Sequence, residues 1–160
     1  MCYSVIKRFC ATHGNLSFVS QGVLTVVGGS TTIIGCTFEN NKVEGTYSGS
    51  HGGGGLDVMS SGSSTIIRNS IFRGNSVHSS THGGAGVRVS GGGPTLEVSD
   101  TTFIANTASA HADQKGAAVF IAAGSTATFL RTNFTENIAG TGGGIYNEGE
   151  CLNVKGILRI

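Results

Sequence analysis

Four copies of one short phrase punctuate the chain: Phe38-Glu39-Asn40-Asn41, Phe72-Arg73-Gly74-Asn75, Phe103-Ile104-Ala105-Asn106 and Phe134-Thr135-Glu136-Asn137. Their Phe residues lie 34, 31 and 31 positions apart. An irregular core has no reason to keep such a period, which demands one structural unit laid repeatedly on itself.

The phrases alternate with Gly-rich lead-ins that each open a short apolar strand: Gly55-Leu56-Asp57-Val58, Gly86-Val87-Arg88-Val89, Ala118-Val119-Phe120-Ile121 and Gly144-Ile145-Tyr146-Asn147. From the first apolar residue of that strand to the Phe takes 16, 16 and 15 residues, whereas the return from Asn to the next strand has 14, 11, 12 and 7 intervening residues. Length variation is therefore confined to one corner. Between the landmarks lies a second alternation, Thr31-x-Ile33, Thr65-x-Ile67, Leu96-x-Val98 and Ala127-x-Phe129, its second member five residues before the Phe. Period-two patterns this short predict strands.

Three short strands per unit of roughly 31 residues describe an all-β, parallel β-helix of about four to five coils. Successive coils would lie about 4.8 Å apart, so like residues stack on like. Phe38, Phe72, Phe103 and Phe134 become an internal aromatic column, and Cys36, Ser70, Thr101 and Thr132 a row of small side chains two residues earlier. Asn41, Asn75, Asn106 and Asn137 become an amide ladder at a bend. The Gly clusters read as the corners of the coil. Residues 19–160 are expected to form the coils, and 1–18 a partial coil or N-terminal lid. Ile145 begins another coil whose Phe-equivalent position falls near residue 160 or 161, which predicts a β-helix truncated at its C-terminal end.

Composition narrows the function classes. Charged residues are 12% of the chain, about half the usual share, and the net charge is +1. No basic stripe marks a nucleic-acid or lipid partner. No run of about 18 apolar residues is present to span a membrane as a helix, and no signal peptide is visible behind Lys7 and Arg8. Cys2, Cys10, Cys36 and Cys151 lack metal-ligand spacing. Cys36 and Cys151 fall about four coils apart in the repeat register, too far for a disulfide, and read as reduced thiols.

The paired phrases, Phe-x-x-Asn with Gly53-Gly54-Gly55-Leu56, Gly84-Ala85-Gly86-Val87, Gly116-Ala117-Ala118-Val119 and Gly142-Gly143-Gly144-Ile145, resemble the repeats of the chlamydial polymorphic outer membrane proteins. More broadly, the coil is similar to the right-handed parallel β-helix of pectin-lyase-like enzymes, phage tailspikes and autotransporter passengers. The resemblance implies an extracellular or cell-surface setting and adhesion, a fold-level warrant only.

Candidate chemistry is sparse. The outward row of the first strand reads Asp57, Arg88, Phe120, Tyr146, and is the candidate ligand face. Lyases of this fold need several acids there to hold calcium, and hydrolases need two or three close Asp residues. With one carboxylate in the row, the expectation is an exposed Asp57–Arg88 ion pair, near neutral to mutation, and an aromatic end able to stack on a sugar. His51 and His82 share a register, but no third metal ligand joins them. No cofactor is expected. The uneven return loops, with Tyr47, His51, His82 and Lys115, are the candidate loop contacts. Asn15 and Asn133 sit in glycosylation tripeptides.

These observations point to a non-catalytic module of a secreted or cell-surface protein, contacting a glycan or a host-cell protein through its loops and ladder face. The alternatives are a fragment of a polysaccharide lyase or hydrolase, and a structural spacer. End-to-end self-association through uncapped coils is a further expectation.

Overall fold

The computed structural model describes residues 16–19, 23–45, 53–59, 61–79, 83–108, 114–149 and 151–155, and every regular element among them is a strand. After β1 (Leu16–Val19), the first set is β2 (Val23–Val26), β3 (Ser30–Ile34), β4 (Thr37–Glu39) and β5 (Lys42–Gly45). The second is β6 (Leu56–Met59), β7 (Ser64–Arg68), β8 (Ile71–Arg73) and β9 (Ser76–Ser79). The third is β10 (Val87–Ser90), β11 (Thr95–Ser99), β12 (Thr102–Ile104) and β13 (Thr107–Ala108). The fourth is β14 (Val119–Ile121), β15 (Thr126–Leu130), β16 (Asn133–Thr135) and β17 (Ile138–Ala139), followed by β18 (Ile145–Asn147) and β19 (Cys151–Lys155).

Each strand pairs with its counterpart one coil away, which gives four sheets: β1-β2-β6-β10-β14-β18, β3-β7-β11-β15-β19, β4-β8-β12-β16 and β5-β9-β13-β17. All these pairings are parallel except β1 with β2, which is antiparallel and ends the parallel register at that edge. The register follows the repeat, with Phe38 on Phe72, Phe72 on Phe103 and Phe103 on Phe134. This is a parallel β-solenoid. Phe38 to Phe134 spans three full turns, with strands of the same register before and after, so the complete turns are slightly fewer than the four to five expected.

One expectation is corrected. Each coil has four strands, not three, because the return path carries the short sheet β5-β9-β13-β17. Two of its members are only two residues long, too short to show an alternation.

The core is the bore of the coil. Leu24, Leu56, Val87 and Val119 line the first sheet, Ile33, Ile67, Val98 and Phe129 the second, and the Phe column the third. Neighbouring rings of the column stand 4.6, 4.9 and 5.1 Å apart and within 10° of parallel, close to the strand spacing that imposes them. Val43, Val77 and Ala85 make a smaller cluster where the return path meets the Gly-rich lead-in.

Two corners of each coil take left-handed backbone. One is at Gly35, Asn69, Asp100 and Arg131, the other at Asn40, Gly74, Ala105 and Glu136. Arg131, Ala105 and Glu136 hold φ near +50° without the freedom of glycine or the local bonding of Asn and Asp, at a cost of about 1–2 kcal/mol each. The Gly-rich lead-ins do more than turn. A Cβ on Gly83 would lie 1.2 Å from the Lys115 carbonyl oxygen, and one on Gly54 2.3 Å from that of Ala85. Backbone packs on backbone between coils here, and only hydrogen fits.

Candidate functional site

The ladder residues are engaged in holding coil to coil. Asn41 Nδ2 donates to Asn75 Oδ1 (2.8 Å), Asn75 Nδ2 to Asn106 Oδ1 (2.9 Å) and Asn106 Nδ2 to Asn137 Oδ1 (2.8 Å). The backbone N–H of each donor residue reaches the same oxygen at 3.1 Å. The second amide hydrogen of Asn75, Asn106 and Asn137 turns back to the carbonyl of Phe38, Phe72 and Phe103, each at 3.0 Å. Asn41, Asn75 and Asn106 are thereby buried with their amides satisfied. The small row acts alike: Cys36 N–H donates to Ser70 Oγ (3.2 Å) and Ser70 N–H to Thr101 Oγ1 (3.3 Å). Cys36 holds a buried thiol whose Sγ donates to the Ile34 carbonyl (3.4 Å).

The outer row of the first sheet has the expected register, Asp57 on Arg88, Arg88 on Phe120 and Phe120 on Tyr146. Its exposure differs from expectation. Asp57 is 3% exposed, Arg88 3% and Phe120 4%, and only Tyr146 is partly open. The lead-ins explain part of this: Gly53 lies against the Asp57 backbone, Gly84 against Arg88, and Gly116 and Gly142 against Tyr146 Cβ. Arg88 Nη1 stands 3.5 Å from Asp57 Oδ2, so the ion pair forms, but inside the protein rather than on an exposed face. Burial lowers the Arg88 pKa from its ordinary value, and the Asp57 charge opposes that fall.

At the open end of the row the structure joins two residues that the sequence placed in separate groups. Lys115 Nζ lies 4.7 Å from the centroid of the Tyr146 ring and 2.8 Å from Glu148 Oε1. The Glu148 carboxylate, and after it Tyr146, holds the Lys115 ammonium above its ordinary pKa. Phe120 supports the ring from the coil below, centroid to centroid 6.0 Å and 2° from parallel. The result is a partly exposed ring stacked on Phe120, with the Lys115 ammonium over it and Glu148 paired to that ammonium. Glu148 was not legible in the sequence because it follows β18, outside the repeating register. Tyr47, His51 and His82 lie outside the described residues, as does His111.

Other carboxylates are tied up similarly. Glu39 pairs with Arg73, Glu44 with Lys42, and Asp100 with Arg131 through bonds of 2.6 and 2.7 Å. Arg131 holds the Asp100 carboxyl below the usual range, and Lys42 does the same for Glu44. Glu97 and Glu136 occupy unlike registers. Glu97 faces a shallow groove of about 140 Å³ on the second sheet, beside Ile66, Arg68, Thr128 and Leu130. Among the described residues no group of three His, Cys, Asp or Glu is placed to hold a metal ion.

The stacked register, parallel pairing and internal ladders define a protein of the parallel β-solenoid class. The chain matches the family described as a right-handed β-helix region over residues 5–156, and it belongs to that family. No curated protein and no solved structure matches it.

Proposed function

We propose that this chain is a non-catalytic binding module, contacting a glycan or a cell-surface protein through the aromatic patch of Tyr146, Lys115 and Glu148. One observation carries the reading. Five carboxylates are held in ion pairs, and one of these pairs, Lys115 with Glu148, stands at the partly exposed Tyr146 ring, which Phe120 supports. A general acid and base need two carboxyl groups converging on one bond. A sugar needs an apolar face to stack on and polar groups at its rim, which this patch supplies. The resemblance to bacterial surface repeats supports an extracellular or cell-surface setting.

The test is a glycan array probed with the chain and with Tyr146→Ala, beside turnover assays on a panel of polyuronides. Binding that falls at least tenfold in Tyr146→Ala, without sugar release, is the expected result. Release of unsaturated or reducing sugars would favour a polysaccharide-degrading relative. Binding to nothing, with no turnover, would favour a spacer.

A further inference from the structure

The second sheet carries a cation and an anion that stand outside the charge pairing seen elsewhere in the fold. Among the described residues, Glu39 is answered by Arg73, Asp57 by Arg88, Asp100 by Arg131, Lys115 by Glu148 and Glu44 by Lys42. Arg68, Glu97, Glu136 and Lys155 are the described charges that take part in no ion pair. Two of these four, Arg68 and Glu97, border the same shallow groove, with Ile66, Ser99, Thr128 and Leu130 around them. Asp100, whose carboxyl feels the Arg68 charge, is already bonded twice by Arg131.

The register sets the two charges on a diagonal. Ile66 lies opposite Glu97 and Arg68 opposite Ser99, so cation and anion are one coil and two residues apart. Both point outward, because the alternate residues Ile67, Leu96 and Val98 are buried in the core. Along the stack neither meets an opposite charge: Arg68 stands between Ile34 and Ser99, and Glu97 between Ile66 and Thr128. Arg68 and Glu97 are exposed, while Ile66, Ser99, Thr128 and Leu130 are half-buried. Since β7, β11 and β15 are interior strands flanked by β3 and β19, this exposure belongs to the face and to neither end of the stack.

A face with one free cation and one free anion on a diagonal is complementary to itself. A two-fold axis in the plane of contact, crossing the midpoint of that diagonal at right angles, lays Arg68 on Glu97 of a second copy and Glu97 on Arg68 of that copy. The axis then runs near the other diagonal, from Ile66 to Ser99, and beside Leu130. Ile66 and Leu130 thereby meet their own counterparts, between two reciprocal ion pairs. We infer that the outward face of the second sheet is a contact surface for a second copy of this chain, joined face to face through reciprocal Arg68–Glu97 pairs. Five strands make a small face, which places the dimer among weak interfaces that bury less than about 1,200 Å². It shares no residue with the aromatic patch.

The test is sedimentation equilibrium of the 160-residue chain at concentrations up to about 1 mM. A monomer–dimer equilibrium is expected, weakened at least fivefold when the salt rises from about 0.05 M to about 0.5 M. Arg68→Glu and Glu97→Arg should each weaken it by about tenfold or more, because each sets like charges together at both contacts. Mixed in equal amounts, the two variants should form a heterodimer of near wild-type affinity, one offering only acids at the diagonal and the other only bases. Neither position has a partner to lose within the chain, so circular-dichroism melting of both variants is expected within a few degrees of wild type. Should a charge reversal not fold, Arg68→Gln and Glu97→Gln take its place, and each is expected to weaken the dimer and abolish its salt dependence. A chain that stays monomeric throughout, a dimer indifferent to these substitutions, or a mixture of the two reversed variants that remains monomeric would overturn the inference.

Discussion

The Phe–Asn corner and the outer row of the first sheet are built on the same register, yet one repeats its chemistry and the other varies it. A parallel β-solenoid presses equivalent residues together. Rings and amides attract their own kind, so Phe38 to Phe134 and Asn41 to Asn137 recur unchanged. Charges repel theirs, and directly opposed like charges destabilise a sheet. Charged positions therefore answer with the opposite sign one coil on: Glu39 with Arg73, Asp57 with Arg88, Asp100 with Arg131 and Lys115 with Glu148. Repetition marks what holds the coils together, and variation marks where something else can be recognised.

Removing a ring from the repeating corner should have the largest effect: Phe103→Ala is expected to cost about 3–5 kcal/mol, read by chemical denaturation. A loss below about 1 kcal/mol would mean that the column is not a core element. In the varying row, Asp57→Ala should cost about 3 kcal/mol, because it strands a buried Arg88 charge. This replaces the near-neutral outcome expected from the sequence. Asp57→Leu combined with Arg88→Met should recover most of that loss, and a double variant as unstable as the single would show that the pair is not the cause. At the left-handed corner, Ala105→Gly should stabilise by about 0.5 kcal/mol, relief of the positive φ outweighing the entropy of glycine.

The smallest effect is electrostatic. Asp100 is held below its ordinary pKa of 3.8 by Arg131, so its contribution to stability is present above that value and lost as the pH falls through the folded pKa. Arg131→Ala should return the Asp100 titration, followed by NMR, toward 3.8, with little change in melting temperature at pH 7. An unmoved titration would remove the ion pair as the cause.

Much of the solenoid was legible because Phe, Asn and the strand residues announce their own period. The fourth strand was not, since Thr107–Ala108 and Ile138–Ala139 are too short to carry a pattern. Nor was the burial of Asp57 and Arg88, for a reason that lies in the glycines. Read as corners, Gly53 and Gly84 say nothing about the neighbouring strand; in three dimensions their missing Cβ atoms let the lead-in lie on the backbone of Asp57 and Arg88. The pairing of Lys115 with Tyr146 and Glu148 depends on how an irregular return segment meets the end of β18, which no repeat encodes.

The unequal lengths of the return path have a consequence for how such a chain changes over time and in the laboratory. From β7 to β8 the coil is fixed by left-handed bends and hydroxyl bonds, so a single inserted residue there would shift the strand that follows out of phase with its neighbours. Between Asn and the next apolar strand, 14 residues in one copy and 7 in another serve equally well. Doubling a flexible loop costs only about 0.6 kcal/mol in closure entropy. Foreign epitopes or new recognition loops grafted there would ride on an undisturbed scaffold, and natural indels should concentrate on that side of the molecule.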